Sequence, residues 1–123
     1  MPNRTKGQVE ADISRAMTKF EKEHLGRGPK NVRTFIIDDM ILIRLIGVLT
    51  PAEQKLATEV DGAQIVKQTR RRLIESSRSI IENIIADTTG AKVLTLHTDI
   101  SAKTGERIFV LGLDKNLENK FKI

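Results

Sequence analysis

Lys67, Arg70, Arg71, Arg72 and Arg78 crowd one short stretch of the chain and form its most conspicuous chemical grouping. Such a cluster could hold phosphate or an acidic partner. The plainer reading is a solvated helix face. Arg71 stands four residues before Glu75 and Arg78 four before Glu82, a spacing that pairs opposite charges along one helix. Arg70 differs: on a helix it falls within the apolar stripe, between Val66 and the Leu73-Ile74 pair. A guanidinium there needs a carboxylate or carbonyl partner, or a place at a subunit boundary, and a structural ion pair is expected.

Other groupings carry less. Gly26-Arg27-Gly28-Pro29 could form an anion-binding nest of backbone N–H groups with Arg27 beside it, although two glycines after a helix serve equally well as cap and turn. Its spacing matches neither a P-loop nor a dinucleotide fingerprint. His24 and His97 are the only histidines, far apart in sequence and without a His-x-His pair, so both are read as structural. Asp38, Asp39 and Asp99 read as turn residues, which two hairpins could bring to the same end of a sheet. No serine or threonine stands in a nucleophile motif. The absence of cysteine excludes disulfides, thiolate zinc sites and a cysteine nucleophile. No catalytic, cofactor or metal site is expected, and the chain reads as a non-enzyme.

The elements that would position these residues repeat. Gly28-Pro-Lys-Asn-Val-Arg-Thr leads into an apolar stretch ending Leu45-Ile-Gly-Val-Leu, and Gly90-Ala-Lys-Val-Leu-Thr leads into another ending Val110-Leu-Gly-Leu. Each follows a helix-like segment, so the unit is helix-strand-strand, used over 6–49 and again over 62–113. Val9, Ile13, Ala16, Met17, Phe20 and His24 recur at helical spacing over 6–24. Strands are predicted over 32–37 and 40–49 with a tight turn at Asp38-Asp39, then over 92–98 and 107–113. Thr50-Pro51-Ala52-Glu53 is a capping box with proline at the first helical position, opening a short helix over 51–58. A long helix is predicted over 62–88, and a flexible tail over 115–123. The fold class is α+β: a two-layer sandwich with a four-stranded, mainly antiparallel sheet and two long helices on one face, in a single domain spanning 1–123.

In the second strand Ile41, Ile43, Leu45 and Leu49 point one way while Met40, Leu42, Ile46 and Val48 point the other, so both sheet faces are apolar. The helices cover one, the short helix could add only part of the other, and a homodimer is expected to cover the remainder. The 123 residues suffice for one core and not two. A net charge of +5 permits an acidic partner, nucleic acid or an anionic membrane surface without choosing among them. Four Phe with no Trp or Tyr leave little for base stacking, and nucleic acid is not the expected partner. The longest apolar run, over 40–49, is interrupted by Arg44 and too short to span a bilayer, so a cytoplasmic chain without membrane insertion is expected.

Gly26-Arg-Gly-Pro, Asp39-Met40, Gly47-Val-Leu-Thr-Pro-Ala-Glu53, Gly62, Arg70, Leu73, Thr89-Gly-Ala-Lys-Val93, Asp99-Ile100 and Gly105-Glu-Arg107 occur in an order and spacing that resembles the MpsC-like family. The resemblance implies a small accessory or regulatory protein of a sodium-translocating, membrane-potential-generating system, whose membrane subunits resemble proteins of inorganic-carbon uptake. It implies action by protein binding and brings no catalytic residues. A partner or anion surface, if the chain has one, is expected to draw on Arg27, Pro29, Asp39, Arg70 and Arg107. A nucleic-acid-binding α+β domain and an anion or small-molecule sensor remain the alternatives.

Overall fold

The structure, a computed structural model, describes residues 4–121. Helix α1 (Lys6–His24) starts at a capping box in which Thr5 and Gln8 satisfy each other's backbone N–H groups. Its stripe of Val9, Ile13, Met17 and Phe20 is buried, together with Glu21. Strands β1 (Asn31–Ile37) and β2 (Met40–Ile46) follow as an antiparallel hairpin, with Ile37 opposite Met40. Asp38 takes a φ of 53° in the turn, a conformation aspartate tolerates better than most residues. Strand β2 ends sooner than the apolar run predicts. Gly47, at φ 73°, turns the chain and ends the alternation, so Val48, expected on the outer face with Met40, Leu42 and Ile46, enters the core together with Leu49.

Helix α2 (Pro51–Leu56) has the expected Thr50–Glu53 capping box. It packs beside α3 (Gly62–Ser76), so it lies with the helices and covers none of the outer sheet face, contrary to expectation. The single helix expected over 62–88 is two, α3 and α4 (Arg78–Thr89), broken at Ser77 with φ −107° and ψ 8°. The Ser76-Ser77 pair explains the break. The Ser76 hydroxyl donates back to Leu73 O, and serine pairs are common kink points. The break lets Val66 and Ile74 of α3 and Ile81 and Ile85 of α4 all reach the core.

Strands β3 (Val93–Ile100) and β4 (Arg107–Leu113) complete a sheet of order β1-β2-β4-β3, antiparallel throughout. The fold is therefore α+β, as the repeat implies, with β2 and β4 innermost and Ile43 opposite Phe109. On the helix side Ile41, Ile43, Leu45, Phe109 and Leu111 are completely buried. Each such side chain contributes about 1.5–3 kcal/mol relative to exposure. On the outer side three cross-strand rows are defined by the register. They are Ile37-Met40-Gly112-Thr95, Phe35-Leu42-Val110-His97 and Arg33-Arg44-Ile108-Asp99. Apart from Glu106 on Arg44 and Lys67 on Asp99 in the third row, the described residues leave these rows open, and Phe35 and Ile37 are 37% and 41% exposed.

Both sheet edges are modified. Beside β1, the Glu10 carboxylate accepts the outward N–H of Ile36 at 2.8 Å, and the Ser14 and Thr34 hydroxyls meet at 2.8 Å. In β3 the register slips between Val93 and Thr95, a bulge that leaves Leu94 exposed. The described part of the expected flexible tail, 115–121, is instead tied down. Leu117 is fully buried, its N–H donates to Asp38 O, and Glu118 accepts the N–H of Asp38 and pairs with Lys6. The Lys120 ammonium donates to Thr89 O at 2.6 Å. Residues 122 and 123 of that tail lie outside the described residues. Asp38 and Asp39 sit at the end of the sheet where β4 finishes, and Asp99 at the end where β4 begins. The two hairpins do not bring these aspartates together.

Candidate functional site

Four charged side chains meet inside the protein at the end of the sheet where β4 begins. Helix α1 supplies Glu21, which stands four residues after Met17 and so continues the buried stripe. Helix α2 supplies Glu53, α3 supplies Arg70 and the first position of β4 supplies Arg107. Glu21 is 0% exposed, Arg70 and Arg107 are each 1% exposed, and Glu53 is partly open. Two cations and two anions sum to no net charge, which lets the group exist away from water.

Arg70 is well held. Its Nε donates to Glu53 Oε2 at 2.8 Å, and its Nη2 to Glu53 Oε1 at 2.5 Å and to Val48 O at 2.8 Å. Nη1 reaches Glu21 Oε1 at 3.4 Å. This is the ion pair that the position of Arg70 in its stripe demands. Burial pushes the Glu53 carboxyl up, but hydrogen bonds from Arg70 and Thr50 outweigh it and leave its pKa below the usual value. For Glu21 burial wins over Arg107 and Arg70, and the pKa is raised.

Arg107 is held less well. Nη1 donates to the Thr98 hydroxyl at 2.8 Å, and the guanidinium carbon lies 5.5 Å from the centre of the Phe109 ring. Its Nε has no hydrogen-bond partner, and neither has Glu21 Oε2. Burial lowers the Arg107 pKa to about 10, against the pull of Glu21. The arrangement ties α1, α2, α3 and β4 together at one end and retains two unsatisfied buried atoms in the process.

Above this network lies an open cleft of about 530 Å³ between α2 and the β3–β4 loop. Lys30, Gln54, Thr58, Lys103 and Thr104 contribute its polar lining, and no carboxylate lines it. The stem of Lys30 crosses Gly47, where a Cβ would lie 2.8 Å from Lys30 Cγ. Neither lysine has an ion-pair partner among the described residues.

The residues singled out from sequence therefore divide. Arg70 and Arg107 are interior and offer no surface to a partner. Arg27 is half-buried, with Nη1 donating to Leu49 O at 2.9 Å, which makes the 26–29 segment a tethered cap and turn. Pro29 is half-buried beside it. Asp39 is exposed at the other end of the sheet, its carbonyl accepting the N–H of Leu113. In the basic cluster Arg78 pairs with Glu82 and Lys67 with Asp99, while Arg71 makes no ion pair with Glu75. Sequence reasoning named Glu53 only as a cap and missed Glu21, although its helical spacing from Met17 was a signal. Lys30 and Lys103 carried no signal at all. Among the described residues no group of three His, Cys, Asp or Glu side chains could hold a metal ion.

Comparison with known proteins adds a family. The model described as "Na+-translocating membrane potential-generating system (MpsC)" matches residues 5–115. The uncharacterized protein YbcI of Bacillus subtilis (strain 168) is 43% identical over 119 residues, covering 97% of this chain and 96% of that one. The uncharacterized protein YrhF of the same organism is 28% identical over 104 residues, covering 83% of this chain and 84% of its own length. No solved structure matches.

Proposed function

The chain belongs to the MpsC family, and on that premise we propose that it is a non-enzymatic accessory or regulatory protein of a Na+-translocating membrane-potential-generating system, acting in the cytoplasm by binding other proteins. No helix among the described residues is long and apolar enough to cross a membrane, so ion movement falls to other subunits in this reading. The observation that carries protein binding is the uncovered outer face of the sheet, where Phe35, Ile37, Met40, Leu42, Ile108 and Val110 stand together. An apolar sheet face of this extent is normally closed by another protein surface.

The test is affinity purification of the tagged chain from cells expressing the whole transport system, with membranes solubilised in mild detergent. Stoichiometric recovery of the membrane subunits is expected, and their absence after chemical cross-linking in intact cells would remove the reading. The cleft supports a second reading, an anion sensor, because Lys30 and Lys103 face it with no carboxylate among its lining residues. Phosphate or a nucleotide at millimolar concentration should then raise the melting temperature, and Lys30→Ala with Lys103→Ala should abolish that rise.

A further inference from the structure

We infer that a second copy of this chain closes the outer sheet face, in a twofold dimer whose axis runs along the strands. The inference rests on the reading above, that this face binds protein, and names the protein. Four strands about 4.8 Å apart and seven residues of about 3.3 Å each give a footprint of roughly 19 Å by 23 Å. Two such faces bury on the order of 900 Å² before side-chain relief is counted, close to the ~1,000 Å² total that a specific interface has to clear.

The rows decide the axis. One end of the face is apolar, with Ile37 and Met40, and the other is charged, with Arg33, Arg44 and Asp99. A twofold axis across the strands lays the apolar end of one copy on the charged end of the other, which strips water from Arg33 without pairing it, whereas Arg44 already pairs with Glu106 and Asp99 with Lys67 in their own chain. An axis along the strands keeps each row against the same row and places β1 over β3 of the other copy. Phe35 then faces His97, Leu42 faces Val110, and Met40 lies over Gly112, where there is no side chain to obstruct it; Arg44 lies over Ile108 with its charge already met by Glu106 of its own chain. In the third row Arg33 faces Asp99, once on each side of the axis. Arg33 is exposed and has no carboxylate partner within its own chain among the described residues, and its guanidinium carbon lies 5.4 Å from the centre of the Phe35 ring on this same face. The Asp99 side chain is 76% exposed, with one bond to its own neighbour's N–H and a contact to Lys67. Aligned packing of this kind is common for two sheets.

Analytical ultracentrifugation of the full chain at micromolar to tens of micromolar concentration should show a species of twice 13.8 kDa. Arg33→Asp alone and Asp99→Arg alone should each weaken the dimer at least about tenfold, and the two together should restore it. Circular dichroism of each variant checks that the monomer fold is intact. The chain has no cysteine, so Arg33→Cys with Asp99→Cys should form an intermolecular disulfide on mild oxidation. A Phe35→Cys variant should not cross-link to itself. A monomer at all concentrations, a dimer indifferent to the charge reversals, or an efficient Phe35→Cys cross-link each overturns the inference. Recovery of membrane subunits is read separately, so a monomer that still binds them overturns the dimer alone. A dimer that recovers none of them overturns the accessory role alone.

Discussion

Methionine in place of each interior arginine should produce two very different proteins. Arg70→Met removes both bonds to Glu53, the bond to Val48 O and the contact with Glu21. It leaves Glu21 buried beside a single, poorly placed cation. Breaking a buried pair in this way costs about 3–5 kcal/mol. At roughly 4 °C per kcal/mol for a domain of this size, the melting temperature should fall by about 15 °C. Arg107 makes one hydrogen bond and has an Nε with none. The drop of its pKa to about 10 corresponds to roughly 3 kcal/mol against the charged form in the fold. That penalty is constant below about pH 10, where the group is charged in both states. That net penalty already contains the attraction to Glu21; Arg107→Met removes it but also removes the Thr98 hydrogen bond and the contact with the Phe109 ring, so the two effects oppose each other. The variant should lie within about 1 kcal/mol of the parent, as replacement of a poorly compensated buried ion by a hydrophobe often does. Urea unfolding and calorimetry at pH 7 and one fixed protein concentration measure both variants. Equal losses, or a greater loss for Arg107→Met, would refute the view that hydrogen-bond satisfaction separates these arginines.

Glu21→Gln tests the same network through pH. A raised folded-state pKa means that the charged carboxylate costs stability as pH climbs above about 4.5, with the full cost present once pH passes the folded value. The variant's stability relative to the parent should therefore rise between pH 4 and 7, and a flat or falling difference contradicts the assignment. Leu117→Ala should cost about 2–5 kcal/mol in urea unfolding, as for a core leucine, whereas a loose tail would lose almost nothing. Gly62→Ala should destabilise although alanine is the better helix former by about 1 kcal/mol, because a Cβ at Gly62 would collide with Leu56 O. A rise in melting temperature would show that the α2–α3 junction yields freely.

The hairpins, the first helix and the two-faced sheet were legible because period-two and period-3.6 patterns are local. What was not legible depended on partners distant in sequence. Ser77 breaks a continuous helical pattern, and a serine pair is only a weak signal beside the apolar spacing of Ile74, Ile81 and Ile85. Residues 115–121 read as loose because their polar residues hide one anchor, Leu117, and bonds to Asp38 and Thr89 that only the folded chain brings close. At the candidate site Arg70 revealed itself by lying in an apolar stripe. Glu21 lies in a stripe too, but a lone glutamate beside Phe20 reads as the solvated edge of a helix. Arg107 was singled out by family resemblance, which says nothing of whether it faces outward, and the fold buries it.

The treatment of the sheet's edges has a consequence for how far this protein can assemble. With Glu10 occupying the outward N–H of Ile36 and a bulge interrupting β3, neither margin offers the regular ladder that an incoming strand needs. Growth by strand addition, which has no natural end point, is thus obstructed from both sides. Contact through the face has the opposite property, because a twofold contact consumes the same surface on each participant. Stoichiometry is then self-limiting, and raising the protein concentration should saturate at a finite particle rather than extend a fibre.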